Sequence, residues 1–297
     1  MAVQAMPIVV PLSRWSSRLA LFFVSLLLVT LAMHRLGLMP TTLALNLFAV
    51  GFAGAACAVV VGLAALGQIW HTGRAGALNV AVGILLPLLA FAGPVGFFAT
   101  VHNLPQINDI TTDFVAPPKF VKLPARAVDA NPSDYPGAHF AAQQSKGYPD
   151  IRSLVVDRPI DEVFEVVEEV ARRLRWHVVA SEVRVSKPPV RIGTLEATDQ
   201  TMLVGFVDDV AVRVEGTSTR ARIDVRSASR YGRFDFGANA ARVRRFLAEV
   251  ALRTDVSSPA AVASRRLRNA RARAALKRQK ARDQQKAPPR NVRGRGQ

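Results

Sequence analysis

Three apolar stretches crowd the first hundred residues, at 19–33, 43–70 and 75–101, and they are almost free of charge. A helix needs about 20 residues, each rising about 1.5 Å, to cross the hydrocarbon core of a bilayer. The second and third stretches exceed that length, so the chain does not read as one water-soluble globule. Past His102 the sequence turns charged, alternating and punctuated by proline, which suits water. The expectation is a membrane region at 1–102, with helices at about 15–38, 43–70 and 75–101, carrying a soluble domain.

The first stretch is short, with Arg14, Trp15 and Arg18 before it and His34 and Arg35 after it. It reads as a spanning helix whose end charges snorkel, with Trp15 at the interface. A signal peptide with small residues near Ala32 is the alternative. In the second stretch Gly54, Ala58 and Gly62 recur every fourth residue, the small-residue stripe that lets helices approach closely. Asn46 and Asn79 are placed to hydrogen-bond between helices, and Pro87 and Pro94 predict a kinked third helix. No Asp, Glu or Lys lies within a span, which favours bundle packing over a transport pathway. With the N-terminus in the cytoplasm, Arg14, Arg18 and Arg74 face inward and Arg35 outward, with Lys119 at the limit of the window. Three crossings then give a multi-pass protein of the bacterial inner membrane with a periplasmic domain.

The formal charge of +17 misleads, because residues 264–297 carry 13 Lys/Arg against Asp283 alone. That tail accounts for +12 and leaves +5 for everything else, so the folded domain is not expected to bind nucleic acid. Residues 254–297 read as a disordered basic tail whose partner is the bilayer, through anionic lipid headgroups. Cys57 stands alone, which excludes an intrachain disulfide and a cysteine-based metal site.

Residues 103–150 hold Pro105, Pro117, Pro118, Pro124, Pro132, Pro136 and Pro149 and read as an extended connector without long regular elements, wrapped on the domain. The soluble domain follows at 151–253. A strand is predicted over 154–156. Ile160, Val163, Phe164, Val167, Val170, Ala171 and Leu174 then mark one helical face behind Pro159. Further strands are expected at 177–183, 192–197, 202–207, 210–215 and 220–227. The last two alternate, with Val210, Val212, Val214, Ala221, Ile223 and Val225 on a buried face and Arg213, Glu215, Arg220, Arg222, Asp224 and Arg226 on a wet one. A final helix carries Val243, Phe246, Leu247 and Val250. The fold class is therefore α+β: a three-helix transmembrane bundle, then a two-layer domain of mostly antiparallel sheet with two helices on one face.

Three groups of residues could carry chemistry. Asp208 and Asp209 are a carboxylate pair, although neighbours on a strand point to opposite faces and Asp is common in turns. Arg213, Arg222, Asp224 and Arg226, with Glu196, form either a solvated face of ion pairs or a groove for an anionic ligand. The segment 224–239 leads from a strand into a helix past Ser229, Arg230, Gly232, Arg233 and Gly237. A helix N-terminus there, framed by Arg230, Arg233 and Arg242, could hold an anion; equally, Asp235 or Asn239 could cap it. Gly232 and Gly237 have P-loop spacing, but Ala238 and Asn239 stand where Lys and Ser/Thr are required. No catalytic residue, cofactor or metal site is assigned.

The run Ile107-Asn-Asp-Ile-Thr-Thr-Asp113, then Tyr148-Pro-Asp150, Glu196-Ala-Thr198, Phe206-x-Asp208-Asp209 and Arg213, resembles domain-of-unknown-function family 1499. So do Asp224-x-Arg226-Ser-x-Ser229-Arg230 and Gly232-x-x-Asp235-x-Gly237-x-Asn239-Ala240-x-Arg242. The resemblance covers roughly 103–252. It implies an envelope or plastid location, often behind membrane helices, and no activity. The resulting expectation is a binding or scaffolding module. The alternatives are an enzyme using Asp208, Asp209, Arg226 and Arg230 on an anionic envelope substrate, or an accessory subunit that recruits a transporter as membrane-protein partner.

Overall fold

The computed structural model of the chain describes residues 9–186 and 189–256; the tail beyond 256 lies outside them. Three helices come first, α1 (Pro11–Arg35), α2 (Thr41–Thr72) and α3 (Ala77–Val101), each long and apolar enough to cross a membrane. Pro11 opens α1 at a position whose N–H would go unused, and Gly73, at φ +65°, ends α2. The small-residue stripe packs as expected: Gly54 faces the Phe23 ring, where a Cβ would lie 2.3 Å away. One turn on, the Ser16 hydroxyl donates to Ala58 O at 2.9 Å. Asn46 and Asn79 make no hydrogen bond between helices among the described residues, contrary to expectation.

The remaining elements are β1 (Asp109–Thr111), α4 (Ala138–Gly147), β2 (Leu154–Val156), α5 (Ile160–Arg173), β3 (His177–Val185), β4 (Arg191–Gln200), β5 (Val207–Gly216), β6 (Ala221–Ser229) and α6 (Ala238–Val256). The six strands form one antiparallel sheet in the order β1-β6-β5-β4-β3, and β2 lies end to end with β1 along the same edge of β6. On one face α5 and α6 bury the predicted stripes against Leu195, Val210, Val212, Val214, Ile223 and Val225. Trp176 stacks on Phe246 there, with ring centroids 4.8 Å apart.

Three expectations need correction. Residues 202–207 are not a strand: Thr201–Phe206 close a turn, with Thr201 N–H donating to Phe206 O at 2.9 Å, and β5 begins only at Val207. The connector holds both β1 and α4. Gln144 of α4 donates to Thr111 O (2.7 Å) and accepts from Thr111 N–H (3.0 Å), so its amide serves as a strand partner along the outer edge of β1. The face predicted to be wet is wet only in part: the connector buries Asp224 and Arg226, with Asp209 and Glu196 beside them, Arg213 and Glu215 are half-buried, and Arg220 and Arg222 stay exposed.

The soluble domain sits directly on the end of the bundle. Arg35 Nε donates to Met202 O at 3.1 Å and its Nη1 to Gln200 Oε1 at 3.3 Å. His34 Nδ1 lies 2.7 Å from Val204 O; since a carbonyl only accepts, the proton is on Nδ1. Thr42 donates to Asp129, and Phe97 of α3 meets Phe236 at 5.5 Å between centroids. At the C-terminal end of α1, His34 and Arg35 therefore grip the domain rather than snorkel.

Candidate binding site

Alternation along β5 and β6 distributes the candidate residues over two faces. Asp208, Ser227 and Ser229 point towards the helices; Asp209, Arg213, Asp224 and Arg226 point towards the connector.

On the helix side Arg242 of α6 is the hub. It donates to Asp199 (2.7 Å), Asp208 (2.7 Å), the Ser227 hydroxyl (3.0 Å) and Asn239 Oδ1 (2.7 Å). Asn239 in turn donates to Ser229 Oγ at 2.9 Å and Asn108 O at 3.1 Å. Of the two readings of the α6 start, the cap is the one observed. Asp235 accepts from Gly237 N–H at 2.9 Å and Asn239 N–H at 2.8 Å. Its carboxyl is pushed up to about 6, chiefly by burial, with the Asp208 charge adding to the rise and the two N–H groups opposing it.

On the connector side Arg226 is 2% exposed and forms a two-pronged pair with Asp109, at 3.0 and 2.7 Å. It also donates to Pro118 O (3.3 Å) and Ser133 O (2.8 Å), and lies between the Phe120 and Tyr135 rings. Arg213 spans Asp224, Asp113 and Ala116 O. The Glu196 carboxylate accepts from three successive amides, Val121, Lys122 and Leu123, at 2.8–3.0 Å. Asp209 takes Arg126 on one oxygen and Arg230 on the other, each at 2.8 Å. These charges read the backbone of the connector and pin it down.

Beside that network lies a cavity of ≈ 520 Å³, bordered by Asn108, Asp109, Arg126, Asn131, Tyr135, His139, Ser229 and Arg233. The Arg126 side chain is 8% exposed, yet its Nη2 has no hydrogen-bond partner among the described residues. The Tyr135 hydroxyl is equally unpartnered. Burial and the Asp109 charge push it up to about 12, against the pull of Arg226. Arg233 is exposed and makes no hydrogen bond or ion pair among the described residues. A second cavity of ≈ 410 Å³ near Phe114, Tyr148 and Arg152 offers one charged side chain.

Of the residues singled out in the sequence, Asp209, Arg226 and Arg230 are gathered near the first cavity, with Ser229 and Arg233 at its wall. Asp208, Asn239 and Arg242 lie across the sheet, and Arg213 and Asp224 lie further along it. The partners that complete the site, Asp109, Arg126 and Tyr135, all come from the connector. The signal for them was indirect: two charges on alternating strand positions, Asp224 and Arg226, require neutralisation once that face is covered.

Residues 109–250 match the family described as "Protein of unknown function (DUF1499)". This segment is a DUF1499 domain. The match starts at β1 and ends within α6, so the connector from Asp109 onward belongs to the DUF1499 unit and the three apolar helices do not. No curated protein matches the chain. Among solved structures, the Zhui aromatase/cyclase from Streptomyces sp. R1128 aligns at 15% identity over 41% of this chain and 94% of that one. Its TM-score is 0.14, too low for the likeness to inform the DUF1499 site.

Proposed function

We propose that the chain is a multi-pass protein of the bacterial inner membrane whose DUF1499 domain faces the periplasm and acts as a binding module for a small molecule bearing an anionic group. The supporting observation is the ≈ 520 Å³ cavity. Next to arginines and carboxylates that satisfy one another, Arg126 and Tyr135 each keep a buried donor without an acceptor among the described residues, and Arg233 lies at the rim. A phosphate, carboxylate or sulfate would supply those acceptors with charge assistance. The enzyme alternative finds less support, because the sheet separates Asp208 from Asp209, Arg226 and Arg230. For the basic tail, anionic lipid headgroups remain the proposed partner.

The test is thermal unfolding of the detergent-solubilised chain against a panel of phosphates, carboxylates and sulfated sugars. Binding to the folded state raises the unfolding temperature by mass action, so at least one anion should give a saturable shift. Arg233→Ala should abolish that shift without altering the unliganded midpoint, because Arg233 holds nothing in place. Tyr135→Phe should weaken it. A panel with no saturable shift, or a shift untouched by Arg233→Ala, would refute the assignment.

A further inference from the structure

The turn between β4 and β5 leaves two large apolar side chains uncovered: Met202 is 86% exposed and Leu203 78%. The turn is nevertheless well defined. Gly205, at φ +84°, donates to Thr201 O at 3.0 Å, and Phe206 N–H donates to the Thr201 hydroxyl at 2.9 Å. Its backbone is also fixed to the last turn of α1, through Arg35 to Met202 O and His34 to Val204 O.

That attachment sets its height. The 25 residues of α1 make a rod of about 37 Å, against a hydrocarbon core of about 30 Å. The final turn of α1 therefore lies in the headgroup layer, and a loop bonded to it lies at the same depth. Leu36 and Leu38, just past α1, are exposed at this level too, and the surface continues down α1 through exposed Leu28 and Val29. An apolar patch continuous with a lipid-facing helix surface belongs with lipid.

We propose that the Met202 and Leu203 tip, flanked by Leu36 and Leu38, inserts at the boundary between headgroups and acyl chains in the leaflet facing the domain. The β4–β5 hairpin is then a second, monotopic attachment to the membrane. The proposal rests on reading the three apolar helices as spans, and its occupant is lipid.

The experiment is depth-dependent fluorescence quenching on the full chain, reconstituted into phosphatidylcholine vesicles in a Cys57→Ala background. An environment-sensitive label goes at Leu203→Cys, at Leu28→Cys within α1, or at Ser218→Cys in the exposed β5–β6 turn. Leu203 touches little, so its replacement leaves the fold alone. The Leu203→Cys label should show blue-shifted emission, loss of intensity with lipids brominated near the headgroup, and no response to aqueous iodide. Ser218→Cys should respond to iodide only. Quenching of the Leu203→Cys label by iodide and not by bromolipid would overturn the insertion. Protection from both quenchers would also overturn it, because a second copy or another protein would then cover the tip. If Leu28→Cys also escaped deeply brominated lipid, the spans themselves would be refuted, a failure distinct from that of the tip alone.

Discussion

Arg226 and Asp109 are two opposite charges sealed under the connector, each with the other as its counter-charge. Burial pushes the Asp109 carboxyl above its ordinary range while Arg226 works against that rise. Removing one partner strands the other, at a cost of about 3–5 kcal/mol. Arg226→Met should therefore lower the stability of the solubilised protein by that order. Asp109→Asn should then cost far less in the Arg226→Met background than in the native chain. Additive losses in chemical denaturation would show that the pair is not coupled. Asp235 makes a prediction in pH. Its folded value of about 6 exceeds the ordinary 3.8, so the folded state favours the protonated carboxyl. The stability it contributes is complete below about pH 4 and is lost as pH rises through about 6, by up to about 3 kcal/mol. Asp235→Asn should flatten the unfolding midpoint across that window, and an unchanged slope would count against the assignment.

Helix α5 was legible almost residue by residue because its stripe, its first-turn acids Asp161 and Glu162 and its last-turn bases Arg172 and Arg173 all agree. What ends it was not: Arg175 takes φ +62°, a left-handed conformation that glycine adopts without strain. Arg175→Gly should raise the stability by about 1 kcal/mol, read as a higher unfolding midpoint, and an unchanged or lower midpoint would count against strain at this position. Strand β2 was readable as a short apolar run, and the last two strands from their alternation. Residues 202–207 deceived because Met202, Leu203, Val204 and Phe206 at a turn imitate the apolar content of a strand, although Met202 and Leu203 are exposed. β1 and α4 were hidden for another reason. A three-residue strand has no periodicity of its own, and α4 buries only Gln144, whose role depends on Thr111 33 positions away. The site was half legible on the same grounds: its strand residues alternate, whereas Asp109 and Arg126 meet partners 117 and 83 residues distant.

For the molecule as a whole, the decisive measurement is sidedness. An odd number of spans and the Arg14, Arg18 and Arg74 bias lead us to expect a reporter fused after Gln297 to be active only if it functions outside the cytoplasm. A cytoplasm-only reporter that works there would reverse the topology. Whichever side it faces, the domain has little freedom of its own. Seven residues separate α3 from β1, and α1, α2 and α3 each touch the domain, through Arg35, Thr42 and Phe97. A domain on a long leash explores a volume and finds its target by diffusing through it. With the three helices spanning a bilayer, as proposed, this one gives up that search: it is carried by lateral drift, with its cavity kept close to the membrane surface. Encounters are thereby confined to a thin layer above the bilayer, where a ligand that partitions into or along the membrane meets the cavity by diffusion in two dimensions and one dissolved in the bulk gains no such advantage.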